Sequence, residues 1–221
     1  MLKIQIARLG LPIKGGSGIA RYGKEKMRIR TKQPMAVAAA MFLPVALWAA
    51  DAAAPKTIDA DKSVMTVRVF KTGLFSAFGH EHEISAPVRQ GSLTEGNPSV
   101  ELTVDARKLR VMDKDVSDKD RAEIQQTMLG PKVLDSEQFH EIRFRSTQVD
   151  RLGKGKWIVH GNLTLHGQTR PIKVQVEGQN GHYRGAAELK QKDFGITPVT
   201  VGGGTVKVKN ELRVEFEILG K

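Results

Sequence analysis

The chain has 221 residues, a formal net charge of +11 and no cysteine. Nine of its 35 basic residues but only one of its 24 acidic residues lie within the first 50 positions, so the remaining residues carry a net charge of only +3. Because the excess of basic residues belongs mainly to the N-terminal segment, we expect no nucleic-acid partner. The absence of cysteine excludes a disulfide framework and a lipid-modified cysteine, so the domain must fold on its hydrophobic core alone.

The N-terminal segment has the order of a secretory signal peptide. Residues 28–32 are mostly basic, residues 34–50 are almost wholly apolar, and small residues follow. We predict a leader over residues 1–50 that contains a signal peptide at 27–50. The mature protein is then expected in the periplasm.

Two details of this leader stay open. Cleavage is plausible after Ala50 or after Ala52, and translation could start at Met1 or at Met27. The apolar run is shorter than the roughly 20 residues of a membrane span, which favours cleavage over an uncleaved anchor.

Alternation of apolar and polar residues predicts an all-β domain after the leader. It is clear at residues 64–70, 100–104, 157–165, 172–176 and 206–218. We expect about eight strands, mostly joined as sequential hairpins. An antiparallel sheet of that size buries its apolar face most easily by closing into a barrel, although a two-sheet sandwich is compatible with the same pattern.

Turn and helix signals interrupt the strands. The segments His166-Gly167-Gln168-Thr169 and Asn180-Gly181 predict hairpin turns. Residues 113–130 predict one short α-helix with Ser117 as its N-cap, on the outside of the barrel or across one mouth. The apolar residues 73–79, flanked by glycines, predict a single helical turn that plugs one end of the core.

The pair His80 and His82 is the strongest candidate for a metal-binding or catalytic site. On a strand the two imidazoles share one face and could chelate a metal, but catalytic zinc normally takes three protein ligands and the sequence offers no third at a suitable spacing. The other reading is that they are polar residues at a barrel rim that hydrogen-bond backbone or ligand. The chain has no Gly-x-Ser-x-Gly elbow and no cysteine nucleophile, so we expect that it is not an enzyme.

The aromatic residues of the predicted strands fit two interpretations. An eight-stranded barrel can be filled by its own side chains or can hold one small ligand. Aromatic side chains would serve either role, so the pattern alone leaves both open.

Three segments carry a specific sequence resemblance: Leu163 to Ile172, Asp135 to Ser146, and Asp193-Phe194-Gly195-Ile196. Together they resemble the YceI-like family of periplasmic, lipocalin-like polyisoprenoid-binding proteins. The resemblance extends over nearly the whole mature chain, and we assign residues 57–220 to one YceI-like domain. It implies a lipocalin-like antiparallel barrel with a bound polyprenyl quinone or phosphate as ligand and no other cofactor.

The function that this resemblance implies is non-catalytic transport or storage of a long polyisoprenoid in the periplasm. The implied partner is the isoprenoid lipid, while transient contact with the inner membrane or a membrane protein, and a homodimer, stay open. A metal-binding or hydrolytic protein that uses His80 and His82 is the alternative. The expected cavity lining is Phe70, Phe75, Phe78, Phe144, Trp157 and Phe194. The residues expected near the mouth are His80, His82 and His166.

Overall fold

A computed structural model of the chain describes residues 54–72, 81–201 and 206–221. Within these ranges the chain forms twelve β-strands, one α-helix and two 3₁₀ turns. The predicted all-β fold with one inserted helix is confirmed, although the strands number twelve rather than about eight. Eight of them have at least seven residues, and the other four have two to four residues each.

The elements follow one another in a simple order. The strands are β1 (Lys56–Thr57), β2 (Val64–Thr72), β3 (His82–Ser85), β4 (Val88–Thr94), β5 (Ser99–Asp105), β6 (Arg110–Val111), β7 (Glu141–Gly153), β8 (Lys156–Leu165), β9 (Gln168–Gln179), β10 (His182–Lys190), β11 (Thr200–Val201) and β12 (Val206–Leu219). The helix α1 is Asp118–Leu129, and the 3₁₀ turns are Ala106–Lys108 and Gln191–Phe194.

All the strands in the described ranges belong to one antiparallel sheet, so this part of the chain is not a two-sheet sandwich. The strand order is β1-β4-β5-β7-β8-β9-β10-β12-β2-β3-β6, and β11 pairs with β12. The sheet curls until its first segment meets the end of β12. There Ile58 forms an isolated bridge with Gly220, and the Asp59 amide donates a hydrogen bond to the Leu219 carbonyl at 2.7 Å. The result is a barrel-like shell.

Two tight turns fix the register of the central hairpins. His166 and Gly167 have φ angles of 49° and 69°, and Asn180 and Gly181 have φ angles of 54° and 81°. Two consecutive residues with positive φ are what a type I′ turn requires, and its twist matches that of the flanking strands. Both predicted hairpins are therefore confirmed, with loops of two residues.

The inserted helix begins and ends where the sequence predicts. Ser117 is the N-cap, and its Oγ accepts a hydrogen bond from the Asp120 amide at 3.1 Å. The helix ends before Gly130, the C-cap. Met128 of α1 and Leu134 just after it belong to a buried cluster with Leu165, Leu189, Phe194 and Ile196, so the helix covers one end of the shell.

A β-bulge in the last strand explains a polar residue on its apolar side. The register of β12 against β2 shifts between Val208 and Leu212. At the bulge, Gln191 Nε2 donates to the Lys209 carbonyl at 2.7 Å, and Asn210 Oδ1 accepts from the Lys192 amide at 2.9 Å. The 3₁₀ turn thereby satisfies polar groups that the interrupted ladder would leave without partners.

The predicted leader and the predicted helical turn at 73–79 lie outside the described residues. Among the residues that are described, no helix has the length and apolar character needed to cross a membrane.

A glycine in β8 makes room for an aromatic ring, and this generates a test of the packing. A Cβ on Gly161 would lie 2.6 Å from the Arg145 carbonyl oxygen and closer still to the ring of Phe144. We expect Gly161→Ala to lower the free energy of unfolding by about 1–3 kcal/mol through overpacking. Chemical denaturation followed by circular dichroism measures this change.

Gly153→Ala in β7 is the matched control, because a Cβ there meets no atom within 4 Å. We expect this control to change the stability by less than about 0.5 kcal/mol. Equal effects of the two substitutions would contradict the close approach of Phe144 to β8.

Candidate ligand cavity

The curled sheet encloses a cavity of about 500 Å³. Inward-facing residues of nine strands form most of its wall, and its surface is mainly aliphatic. Representative lining residues are Met65, Val67, Val69, Ile84, Leu93, Leu102, Val104, Ile142, Val159, Leu163, Val174, Val176, Ala187, Leu189, Leu212, Val214 and Ile218. The rings of Phe144, Trp157, Tyr183 and Phe216 also line the cavity.

The cavity is long as well as apolar. Trp157 and Leu165 both line it and lie eight residues apart on the single strand β8. At the rise of a β-strand this separation corresponds to about 26 Å along the strand. The lumen can therefore accept an extended chain in a way that a compact pocket could not.

One end of the cavity is closed by buried apolar side chains. Met128 and Leu134 reach it from α1 and the following loop, and Leu165 and Ile196 reach it from β8 and the segment after the second 3₁₀ turn. Gln191 is the polar lining residue at this end, and its amide nitrogen already donates to the backbone of the β12 bulge.

The opposite end is an open, polar mouth. Three hairpin ends meet there and contribute exposed lining residues: Glu95 and Ser99 at the β4–β5 end, Arg151 and Lys154 at the β7–β8 end, and Gln179 and Asn180 at the β9–β10 end. Such a cavity suits a ligand with a long apolar chain and one polar end.

A hydrogen-bonded cluster at the mouth joins β1 and β10 to the turn between β4 and β5. Tyr183 donates its hydroxyl proton to Glu95 at 2.8 Å, and Lys56 Nζ donates to the other oxygen of the same carboxylate at 3.0 Å. The hydrogen bond from Lys56, followed by the one from Tyr183, lowers the pKa of Glu95. Burial, followed by the hydrogen bond to Glu95, raises the pKa of Tyr183 to about 12. Trp157 packs edge-on against Tyr183 with ring centroids 5.7 Å apart.

Of the predicted lining residues, two face the cavity and two do not. Phe144 and Trp157 belong to its wall. Phe70 requires a correction: it alternates with the lining residues Val67 and Val69, and Lys209 Nζ lies 5.9 Å from its ring centroid. Its side chain therefore belongs to the outer face of β2. Phe194 also requires a correction, because it is 1% exposed and packs in the core cluster behind the wall of the closed end.

Of the predicted mouth histidines, the two that the structure describes, His82 and His166, lie at the closed end instead. His166 occupies the β8–β9 turn, where its Nδ1 donates to the Phe194 carbonyl at 3.1 Å and its ring packs edge-on against Phe139. His82 begins β3, and its Nδ1 donates to Asp113 Oδ2 at 2.5 Å. Both positions follow from the strand directions, because these ends of β3 and β8 point away from the open mouth.

Phe75, Phe78 and His80 lie outside the described residues.

The buried carboxylate of Asp113 also accepts a hydrogen bond from the Glu83 amide at 2.8 Å, so the His82–Asp113 pair fastens the loop before α1 to β3. Within the described ranges no three His, Cys, Asp or Glu side chains are grouped to hold a metal ion.

Several lining residues are absent from the predicted set. Tyr183, Glu95, Arg151 and Lys154 define the mouth, and Phe216 belongs to the wall. The alternation of β12 is sufficient to assign Phe216 to the apolar face, and hairpin turns at the same end of the sheet predict which polar residues share a rim.

The mouth cluster generates a test by titration. We expect Tyr183 to ionise near pH 12 rather than near 10, and Glu95→Gln to move this pKa downward because it removes the carboxylate charge. Ultraviolet absorbance of tyrosinate measures the titration in protein without residues 1–50, in which Tyr183 is the only tyrosine. A raised folded-state pKa contributes stability below the unfolded value of about 10, and that stability is lost as pH rises through 12. Titration of folded protein at pH 10 would contradict the cluster.

Sequence comparison finds similar proteins in two bacteria. A UPF0312 protein of Shewanella oneidensis is 32% identical over 192 residues, which cover 81% of this chain and 93% of that protein. A UPF0312 protein of Vibrio cholerae is 35% identical over 127 residues, covering 53% of this chain and 61% of that protein. The matched part therefore spans less than two thirds of the length of the Vibrio cholerae relative.

Among solved structures, Burkholderia cenocepacia BcnA is similar with a TM-score of 0.51 and 18% identity, covering 74% of this chain and 99% of BcnA. This likeness supports the fold alone. The sequence model of the YceI-like domain matches residues 57–219, nearly the whole described part of the chain. The chain therefore belongs to the YceI-like family.

Proposed function

We propose that this protein is a non-catalytic carrier or store of a long-chain polyisoprenoid lipid. The observation that carries the proposal is the continuous apolar lumen that runs from Trp157 to Leu165. Each methylene moved from water into such a lumen contributes about 0.8 kcal/mol, so a long hydrocarbon gains along the whole length. A small polar metabolite would leave its hydrogen-bonding groups without partners against the same wall.

The contrast between the two ends supports a ligand with one polar end. The lumen has a volume of about 500 Å³, which is within the range of about 300–1,000 Å³ for small-molecule sites. The open mouth lets a head group, such as a quinone or a phosphate, remain in contact with water and with the polar rim. The closed end requires that the apolar tail enters first.

The structural roles of the two described candidate histidines favour a carrier over a hydrolase. Nδ1 of His82 is engaged by Asp113, and Nδ1 of His166 is engaged by the Phe194 carbonyl. Neither residue belongs to the cavity lining. A bound lipid would therefore meet neither imidazole at the wall of the lumen.

Export to the periplasm is part of the proposal, and it rests on the basic, apolar and small-residue order of the first 52 positions. We expect the accumulated protein to begin at Asp51 or at Ala53 and to be released with the periplasmic fraction. N-terminal sequencing after cell fractionation measures both. A cytosolic protein that retains residues 27–50 would contradict export.

The cargo is tested by mass spectrometry of an organic extract from protein purified without detergent. We expect a polyprenyl species at close to one equivalent. Ala187→Phe adds a ring to the lumen, where Ala187 is 7% exposed, and should reduce bound lipid severalfold or select shorter chains.

Ala186→Phe is the matched control on the neighbouring, outward-facing position of β10. Lipid content should be unchanged in this control. An empty extract from folded wild-type protein, or equal lipid loss in the two variants, would overturn the proposal.

A further inference from the structure

We propose that the tip of the β7–β8 hairpin, residues 151–156, docks on an anionic lipid bilayer and brings the open mouth to its surface. This docking rests on the proposed function, because a lipid carrier must contact the membrane that supplies its lipid. Its own evidence is the shape, charge and exposure of the hairpin tip.

The hairpin tip stands apart from the neighbouring strand. Paired positions between β5 and β7 end at Glu101 and Arg145, whereas β7 continues to Gly153 in pairing with β8. After Ser146, whose Oγ accepts a hydrogen bond from the Val100 amide of β5 at 2.9 Å, the last seven residues of β7 pair with β8 only. They extend the wall of the shell beyond β5 at the mouth end.

The hairpin tip combines an apolar side chain with basic ones. Leu152 is 66% exposed and is the most exposed large hydrophobic residue in the described part of the chain. Arg151 and Lys154 flank it, are exposed, and line the mouth of the cavity. Neither has an acidic partner among the ion pairs of the described residues.

The adjoining outer face is different, because its charges are balanced. Lys156, Glu177, Arg184 and Glu217 lie in one register row across β8, β9, β10 and β12. Lys156 and Arg184 both approach Glu177, at 3.5 and 3.7 Å, and Glu217 is paired with His182 at 2.6 Å. The uncompensated positive charge of this region is thus concentrated at Arg151 and Lys154.

This combination fits an anionic bilayer better than a strand from another protein. Basic residues are attracted to anionic head groups while an apolar side chain enters the boundary of the acyl chains. Addition of a strand needs a regular edge, but the register of β7 shifts between Ser146 and Gln148 and again between Arg151 and Gly153. Such bulges protect an edge strand from pairing.

Contact is tested with an environment-sensitive dye attached at Leu152→Cys, since the chain has no other cysteine. The same dye at Met112→Cys, a residue 49% exposed at the closed end, is the matched control. With vesicles of phosphatidylcholine mixed with phosphatidylglycerol, we expect a blue shift at position 152 and none at position 112. The shift should vanish with phosphatidylcholine alone and at high salt. No shift at 152, or equal shifts at both positions, would overturn the docking surface.

Affinity is tested by vesicle sedimentation of the unlabelled protein. One basic residue near an anionic surface strengthens binding roughly fivefold, so Arg151→Glu with Lys154→Glu should weaken it at least 25-fold. Lys119→Glu with Lys132→Glu makes the same charge change at the closed end and should weaken it much less. Equal losses in the two double variants would overturn the inference.

These readouts separate the two proposals. Hairpin-dependent vesicle binding by a protein whose extract holds no lipid would support the docking surface and remove the proposed cargo. Lipid-loaded protein with no hairpin-dependent binding would overturn the docking surface and leave the cargo in place.

Discussion

The structure depends on keeping one face of a single curled sheet apolar along its whole length. An antiparallel strand exposes alternate residues to opposite faces, so a shift of one position would bring charged residues into the lumen. The bulge of β12 shows how the shell tolerates an interruption, because Leu212, Val214, Phe216 and Ile218 beyond it all line the cavity. The 3₁₀ turn satisfies the polar groups of the bulge at the closed end of the lumen. The wall remains dry while the strand bends.

The lumen is not filled by its own side chains, because the large aromatic rings of the lining lie against the wall. Phe144 lies over Gly161 of the neighbouring β8, and Phe216 approaches Gly185 of the neighbouring β10 in the same way. A side chain at either glycine would force its ring away from the sheet. Aliphatic residues dominate the rest of the lining, and their packing with these rings leaves space between opposite walls. The same alternation of apolar and polar residues that forms a filled core in one barrel can therefore form an open cavity in another.

Sequence patterns predicted the elements much better than the site. Period-two alternation and I′ turn residues fixed both central hairpins, and the cap at Ser117 located the helix, because these signals are local. Phe70 was misassigned because it was chosen for its aromatic ring, although it shares a face of β2 with Thr66 and Arg68. His166 was misassigned because a turn residue has the same local pattern at either end of a shell. Choosing the end requires the directions of several strands, which is long-range information.

The contrast between the two ends constrains how a carrier of this shape exchanges cargo. A tail in the lumen contacts apolar atoms throughout, and withdrawing it into water would cost about 0.8 kcal/mol for each methylene exposed. For a long polyisoprenoid the total free-energy cost is large, so release into bulk water would be extremely slow. Exchange must therefore occur where the mouth meets another apolar phase, so that methylenes leave one dry environment as they enter the next. Arg151, Leu152 and Lys154 lie at this mouth, where a lipid surface could satisfy that condition.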